Sequence, residues 1–188
     1  MLRRIKLKIV TISLIAMMMT FFVQGTLAFY STVGKATNVV TSGEIQFVIH
    51  ETTDQGTAFP EEGVYIVPGD IVSKEVTVEN TCTHPFYLRV KVIYGVDSQE
   101  LSAEDCFKLN IDPTYWEYHD GWYYYRGILT PGEKTPYVFS HVEIVGDKVD
   151  NSYIGKTLSL TVSAHAVQSE HNPITDGKTY TASGWPME

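Results

Sequence analysis

The sequence predicts an all-β protein, an antiparallel β-sandwich of jelly-roll kind with at most one or two short helices. Three observations carry that expectation. Apolar and polar residues alternate with a period of two, as in Val72, Val76 and Val78 against Ser73, Glu75, Thr77 and Glu79, the pattern of a strand with one buried face. Turn signals punctuate such segments, "PGD" at 68–70, "HDG" at 119–121 and "PGE" at 131–133, since proline presets φ and glycine accepts φ > 0. Long helical patterns do not alternate with the strands, which argues against a parallel α/β sheet.

The chain opens with Arg3, Arg4, Lys6 and Lys8 and then runs uncharged and mostly apolar from Ile9 to Val23, a signal-peptide pattern. That run is shorter than the roughly 20 apolar residues needed to span a bilayer. Leu27, Ala28 and Phe29 could lengthen it, so retention as an anchor is the alternative to cleavage. Thr26 and Ala28 supply small residues three and one before a cut, giving a mature chain that starts at Phe29. Residues 1–28 are therefore read as signal peptide. Residues 29–43, "FYSTVGKATNVVTSG", offer only Phe29, Tyr30, Val33, Val39 and Val40 for burial, too few to anchor a core of their own.

The sandwich is expected over 44–168. Ile45, Phe47 and Ile49 share a face in a first strand, and Val64 to Val67 make a short one. Val72 to Asn80 follows, then Phe86, Leu88, Val90, Val92 and Tyr94 alternating with Tyr87, Arg89 and Lys91, so that one face meets a core and the other carries charge to water. "LSAEDCFKL" is the one helix candidate, of one or two turns, with Ser102 as cap and Asp105 three residues on. Phe107 to Ile111 is a further strand. Val138, Val142 and Ile144 share one face, and Leu158, Leu160, Val162, Ala164 and Ala166 another in a last long strand, for eight or nine strands in all. Residues 169–188 are polar and turn-rich, an exposed tail or a loosely docked last strand.

The densest feature is "TYWEYHDGWYYYRG", residues 114–127, an aromatic hairpin turning at Asp120 and Gly121. About half of its rings should enter the core. The rest, drawn from Trp116, Tyr118, Trp122, Tyr123 and Tyr125, are candidates for a platform that stacks on sugar faces or on a neighbouring subunit.

Charge narrows the partners. The 188-residue chain carries −8, and loss of four basic residues with the signal leaves 10 basic against 22 acidic residues, a net −12. Such a surface repels nucleic acid and anionic lipid, so no nucleic-acid partner is expected and membrane contact is confined to the signal peptide. Cys82 and Cys106 sit in a chain that reads as exported, where a disulfide could persist. A bridge would close a 25-residue loop, for about 3 to 4 kcal/mol by chain entropy, and two free buried thiols are the equal alternative.

Catalytic signals are sparse. There is no HExxH pair, and His50, His84, His119, His141, His165 and His171 are scattered. No GxSxG elbow is present, and neither cysteine has the flanks of a hydrolase nucleophile. Asp147, Asp150 and Asn151 cluster in "GDKVDNS" but depart from a calcium loop. No cofactor is expected.

Four stretches in order, "GTLAFYSTVGKATNVVTSGEIQFVIHE" just after the apolar run, "VSKEVTVENT" leading to "FYLRVKV", "DGWYYYRGILTPGEKTPYVFSHVEI" and "LSLTVSAHAVQSE", resemble the TasA/camelysin family of exported proteins of Gram-positive bacteria. The resemblance implies a jelly-roll-like sandwich, export through a dedicated signal peptidase, and a role in biofilm matrix. There the subunits build fibres by lending an N-terminal strand to the next copy. Phe29 to Gly43 match the donor segment. Camelysins have been classed as metallopeptidases, a class whose ligand motif this chain lacks.

The expected function is thus a secreted structural subunit of matrix or cell-surface fibres. Its partners would be further copies or paralogous subunits, with a signal peptidase during export. The alternatives are a monomeric module that binds wall glycan or a host surface through the aromatic hairpin, and, less favoured, an exported metallopeptidase.

Overall fold

The structure, a computed structural model, describes residues 45–187. The signal segment with its cleavage residues Thr26, Ala28 and Phe29, and the segment carrying Tyr30, Val33, Val39 and Val40, lie outside the described residues.

Eight strands form among the described residues: β1 (Phe47–Thr52), β2 (Ile71–Asn80), β3 (Phe86–Val96), β4 (Phe107–Leu109), β5 (Trp116–His119), β6 (Trp122–Tyr125), β7 (Phe139–Ile144) and β8 (Leu158–Gln168). They make two four-stranded sheets, β1-β2-β7-β4 and β5-β6-β3-β8, and every described strand pairing is antiparallel. The expected all-β sandwich is what the chain adopts. Its core lies between the sheets. Val76 and Val78 of β2, Phe86, Leu88 and Val90 of β3, Phe139 and Ile144 of β7 and Ala164 and Ala166 of β8 are all sealed from solvent. The period of two that marked these strands in the sequence is the alternation of core and outer face.

The longest pairing joins β3 to β8 over eleven residue pairs, Phe86↔Gln168 to Val96↔Leu158. β2 and β7 slip register between Ser73 and Val76, a bulge that spends one extra β2 residue. Beside it Lys74, on the parity of the core valines, is buried. It escapes an unpaired charge by reaching Glu51 at 2.9 Å and lying 4.5 Å from the Phe59 ring. Asn80 ends β2 fully buried, its side-chain amide donating to the carbonyls of His84 and Leu129 and its oxygen accepting from Cys82 N. One polar side chain thereby satisfies the crossover from the first sheet to the second.

The turns are those the sequence marks. Gly69 (φ 92) and Gly132 (φ 79) follow prolines, each closed by a backbone bond, Asp70 N to Val67 O and Glu133 N to Thr130 O. Asp120 (φ 49) and Gly121 (φ 80) make the two-residue loop of the β5–β6 hairpin, the double positive φ that matches strand twist.

Three expectations need correction. Val64 to Val67 is not a strand: Val64, Tyr65 and Val67 are exposed and only Ile66 packs on the core, so the segment has no sheet neighbour to reward extension. The helix candidate shrinks to a single 3₁₀ turn, Glu104–Cys106, without a side-chain cap bond. Residues 169–187 are neither an exposed tail nor a strand but a strap packed on the outer face of the second sheet, described below.

Candidate functional site

The aromatic hairpin puts its rings on two faces. Register pairs Trp116 with Tyr125 and Tyr118 with Tyr123, and the paired rings meet at 5.5 and 5.0 Å. This face looks into the sandwich. Trp116 is buried with its indole N–H donating to Tyr137 O at 2.9 Å, and Tyr123 and Tyr125 pack against the core. Burial pushes the phenols of Tyr123 and Tyr125 above their ordinary pKa. Of the five rings singled out for a platform, only Tyr118, at the rim and 62% exposed, is open to a partner. Trp122 lies on the opposite face with Tyr124, and both are buried there as well.

What buries them is the chain's own C-terminal strap. Tyr87 and Val167 join Ala182, Ile174 and Trp185 in a second, smaller apolar cluster. Tyr180 stacks on His119 with centroids 4.1 Å apart, Trp185 meets Tyr124 edge-on at 5.3 Å, and Thr179 donates its hydroxyl to Tyr125 O. Asn172 holds the strap's two limbs together, donating to Gln168 O and Ser183 O and accepting from Ser183 N. The face expected to carry charge to water is therefore largely covered, and Arg89 is only 7% exposed. The sequence signal for this was Trp185 and Tyr180, two large rings in an otherwise polar tail.

Arg89 sits at the centre of the covered face. Its guanidinium lies 4.1 Å from the Trp122 ring and 5.0 Å from Trp185, a flat cation between flat rings. It donates to Tyr124 Oη at 3.1 Å and to Pro186 O at 2.6 Å, and lies 3.0 Å from His165 Nδ1.

An ion pair fastens the strap's other limb. Lys178 donates to Glu117 at 2.7 Å, and Arg126 reaches the same carboxylate at 2.9 Å. The Lys178 hydrogen bond, with the charge of Arg126, holds the Glu117 carboxyl below its ordinary value against the opposing effect of burial. A carboxylate with a depressed folded-state pKa contributes stability that is present above its unfolded value and lost as pH falls through the folded one. Acidification through the lower carboxylate range should thus loosen the strap. Glu117→Gln should do the same at neutral pH, read as faster tryptic cleavage after Lys178. Equal cleavage of E117Q and the parent would show that the pair does not hold the strap.

The sheet edges are the other candidate. Phe86 exchanges both backbone bonds with Leu129, on the side away from β8. Its register partner Gln168 must therefore turn its own N–H and C=O away from β3, and Gln168 O indeed accepts from the Asn172 amide. Counting back by twos, Leu160, Val162 and Ala164 direct their backbone groups outward, while Ser159, Thr161 and Ser163 bond to β3. Among the described residues no strand pairs with β8 on that outward side.

Cys82 and Cys106 are not bridged. Both are free thiols, Cys82 near His84 O and Cys106 near Ser102 O. Cys106 O accepts from Val145 N, level with Asp70 at the start of β2, whereas Cys82 lies beyond Asn80 at its end. Along the strand that is roughly 30 Å, against the 7 Å or less that a disulfide allows between Cα atoms. Asp150 spends its carboxylate capping a 3₁₀ turn at Ser152 N and Oγ, bonds that lower its pKa. Among the described residues no group of three His, Cys, Asp or Glu side chains gathers in a metal-holding arrangement, and no helix is long and apolar enough to cross a membrane. The chain matches no protein-family model and no curated protein sequence.

Proposed function

We propose that this protein is a secreted structural subunit of extracellular matrix or cell-surface fibres, of the TasA type, assembled by strand addition. Residues 29–43 of one copy would pair along the outward edge of β8 in the next, where Leu160, Val162 and Ala164 turn their backbone groups away from β3. The observation that carries this reading is β8 itself, eleven residues long and last in its sheet among the described residues. An edge of that length is a template for another chain's backbone. Greek-key wrapping lays a late strand beside an early one, and β8, the last strand, is where an earlier segment would add. The start of β1 lies near the end of that edge, because the Phe47 ring meets that of Phe86, the register partner of Gln168, with centroids 6.2 Å apart.

The glycan-binding alternative draws less support, since of the five candidate platform rings only Tyr118 is largely exposed. A metallopeptidase reading has no gathered ligand set among the described residues to work with.

Deletion of residues 29–43 from the mature protein tests the proposal. The expected result is a folded monomer with an unchanged β spectrum that forms no fibres by electron microscopy, under conditions where the parent polymerises. Fibres that persist in the deletion would overturn strand donation.

A further inference from the structure

Arg89 carries a charge almost out of water, and none of the ion pairs among the described residues involves it. None of its partners is an anion: they are the Tyr124 hydroxyl, the Pro186 carbonyl and His165 Nδ1. A guanidinium has five N–H groups. Nε at 3.4 Å and Nη2 at 3.0 Å converge on the one atom His165 Nδ1, and Nη1 bonds Tyr124 Oη. Burying such a group is unfavourable unless a counter-charge meets it.

A second observation at the same place is independent of charge. The indole Nε1 of Trp185 is buried and has no hydrogen-bond partner, an uncommon state for a native donor. Arg89 and Trp185, with Trp122, Tyr124 and Asp120, line one open basin of about 450 Å³. The basin is walled by flat rings around the Arg89 cation, with the unpaired indole N–H of Trp185 buried in its wall.

We propose that this basin is a carboxylate-binding site. A carboxylate has two acceptor oxygens and makes its strongest hydrogen bonds with a guanidinium. The tryptophan and tyrosine rings give it a stacking wall, and Asp120 at the mouth is an acceptor for hydroxyl groups. That combination suits a carboxylate carried on a hydroxylated ring, the chemistry of an acidic sugar. The same chemistry is available from the side chain of Glu188, next in sequence after Met187. The site lies on the outer face of the second sheet and does not depend on how subunits assemble.

Titration of the purified protein with glucuronate, and separately with glucose, followed by tryptophan fluorescence, tests the assignment. Glucuronate should give a saturable change and glucose none. Arg89→Gln should weaken glucuronate binding about tenfold or more, the loss expected for a charge-assisted hydrogen bond. Trp185→Phe, which keeps a ring and removes the N–H, should weaken it by less. Should R89Q fail to fold, the sugar pair and W185F carry the test unaided. A response seen only in Glu188→Gln would assign the site to the chain's own carboxylate and keep the proposal. Silence towards glucuronate in both the parent and E188Q, or equal responses to glucuronate and glucose, would overturn it.

Discussion

Trp116→Ala should lower stability by about 3 to 5 kcal/mol, the usual range for removing a buried aromatic side chain, and lower Tm by on the order of 10 °C. Trp116 opens β5 and is 2% exposed. Its ring meets Tyr125 on the partner strand, and its indole N–H ties the second sheet to Tyr137 O, just before β7 of the first. The alanine variant leaves a cavity and an unsatisfied carbonyl. Trp116→Phe separates the two effects: it fills most of the space and loses only the hydrogen bond, for about 1 kcal/mol. Tyr118→Ala lies two residues on, on the same face, but at the exposed rim. It should change stability by no more than about 0.5 kcal/mol. Thermal and denaturant unfolding of the three variants measures this. If W116A proves as mild as Y118A, the hairpin does not help close the sandwich.

That gradient along one strand explains what sequence could and could not say about the rings. Period two tells that Trp116 and Tyr118 share a face, and it makes half the hairpin core-directed, as found. It does not tell which half. The run "WYYY" is aromatic at both parities, so the pattern has no polar phase to assign inside from outside. Core facing fell to Tyr123 and Tyr125, and the other face was covered by residues 169–187. Nothing periodic in the strap announces that cover, because it docks through turns and single anchoring rings. Arg89 was invisible for the same reason: alternation puts it outside the core, and only a distant segment made outside mean buried. Strands with one polar face, β2 and β3 above all, were legible because each carries its own contrast. Val64 to Val67 misled because an apolar run of strand length still needs a neighbour to bond.

The phase of the β3–β8 ladder leads to the largest expected functional effect, in a pair of adjacent substitutions. Val162→Pro should abolish fibre growth while leaving a folded protein; Thr161→Pro should damage the fold itself. Proline removes one backbone N–H and fixes φ near −65°. At 162 that N–H points away from β3, to the side of β8 that no described strand occupies, the setting in a sheet that tolerates proline, and on the strand-addition proposal the loss falls on an incoming strand. At 161 the N–H is bonded to β3, opposite Ile93, so the loss falls on the long pairing that organises the second sheet. Val162 is itself buried, and V162P will cost roughly 1 to 2 kcal/mol through packing, so Val162→Ala serves as the packing control and should still polymerise. The sharper assay supplies residues 29–43 as a free peptide to the chain that lacks them. Binding should be seen with that chain and lost when V162P is added. Peptide binding and fibre growth that survive V162P would move the acceptor to another edge, with β1 the next longest.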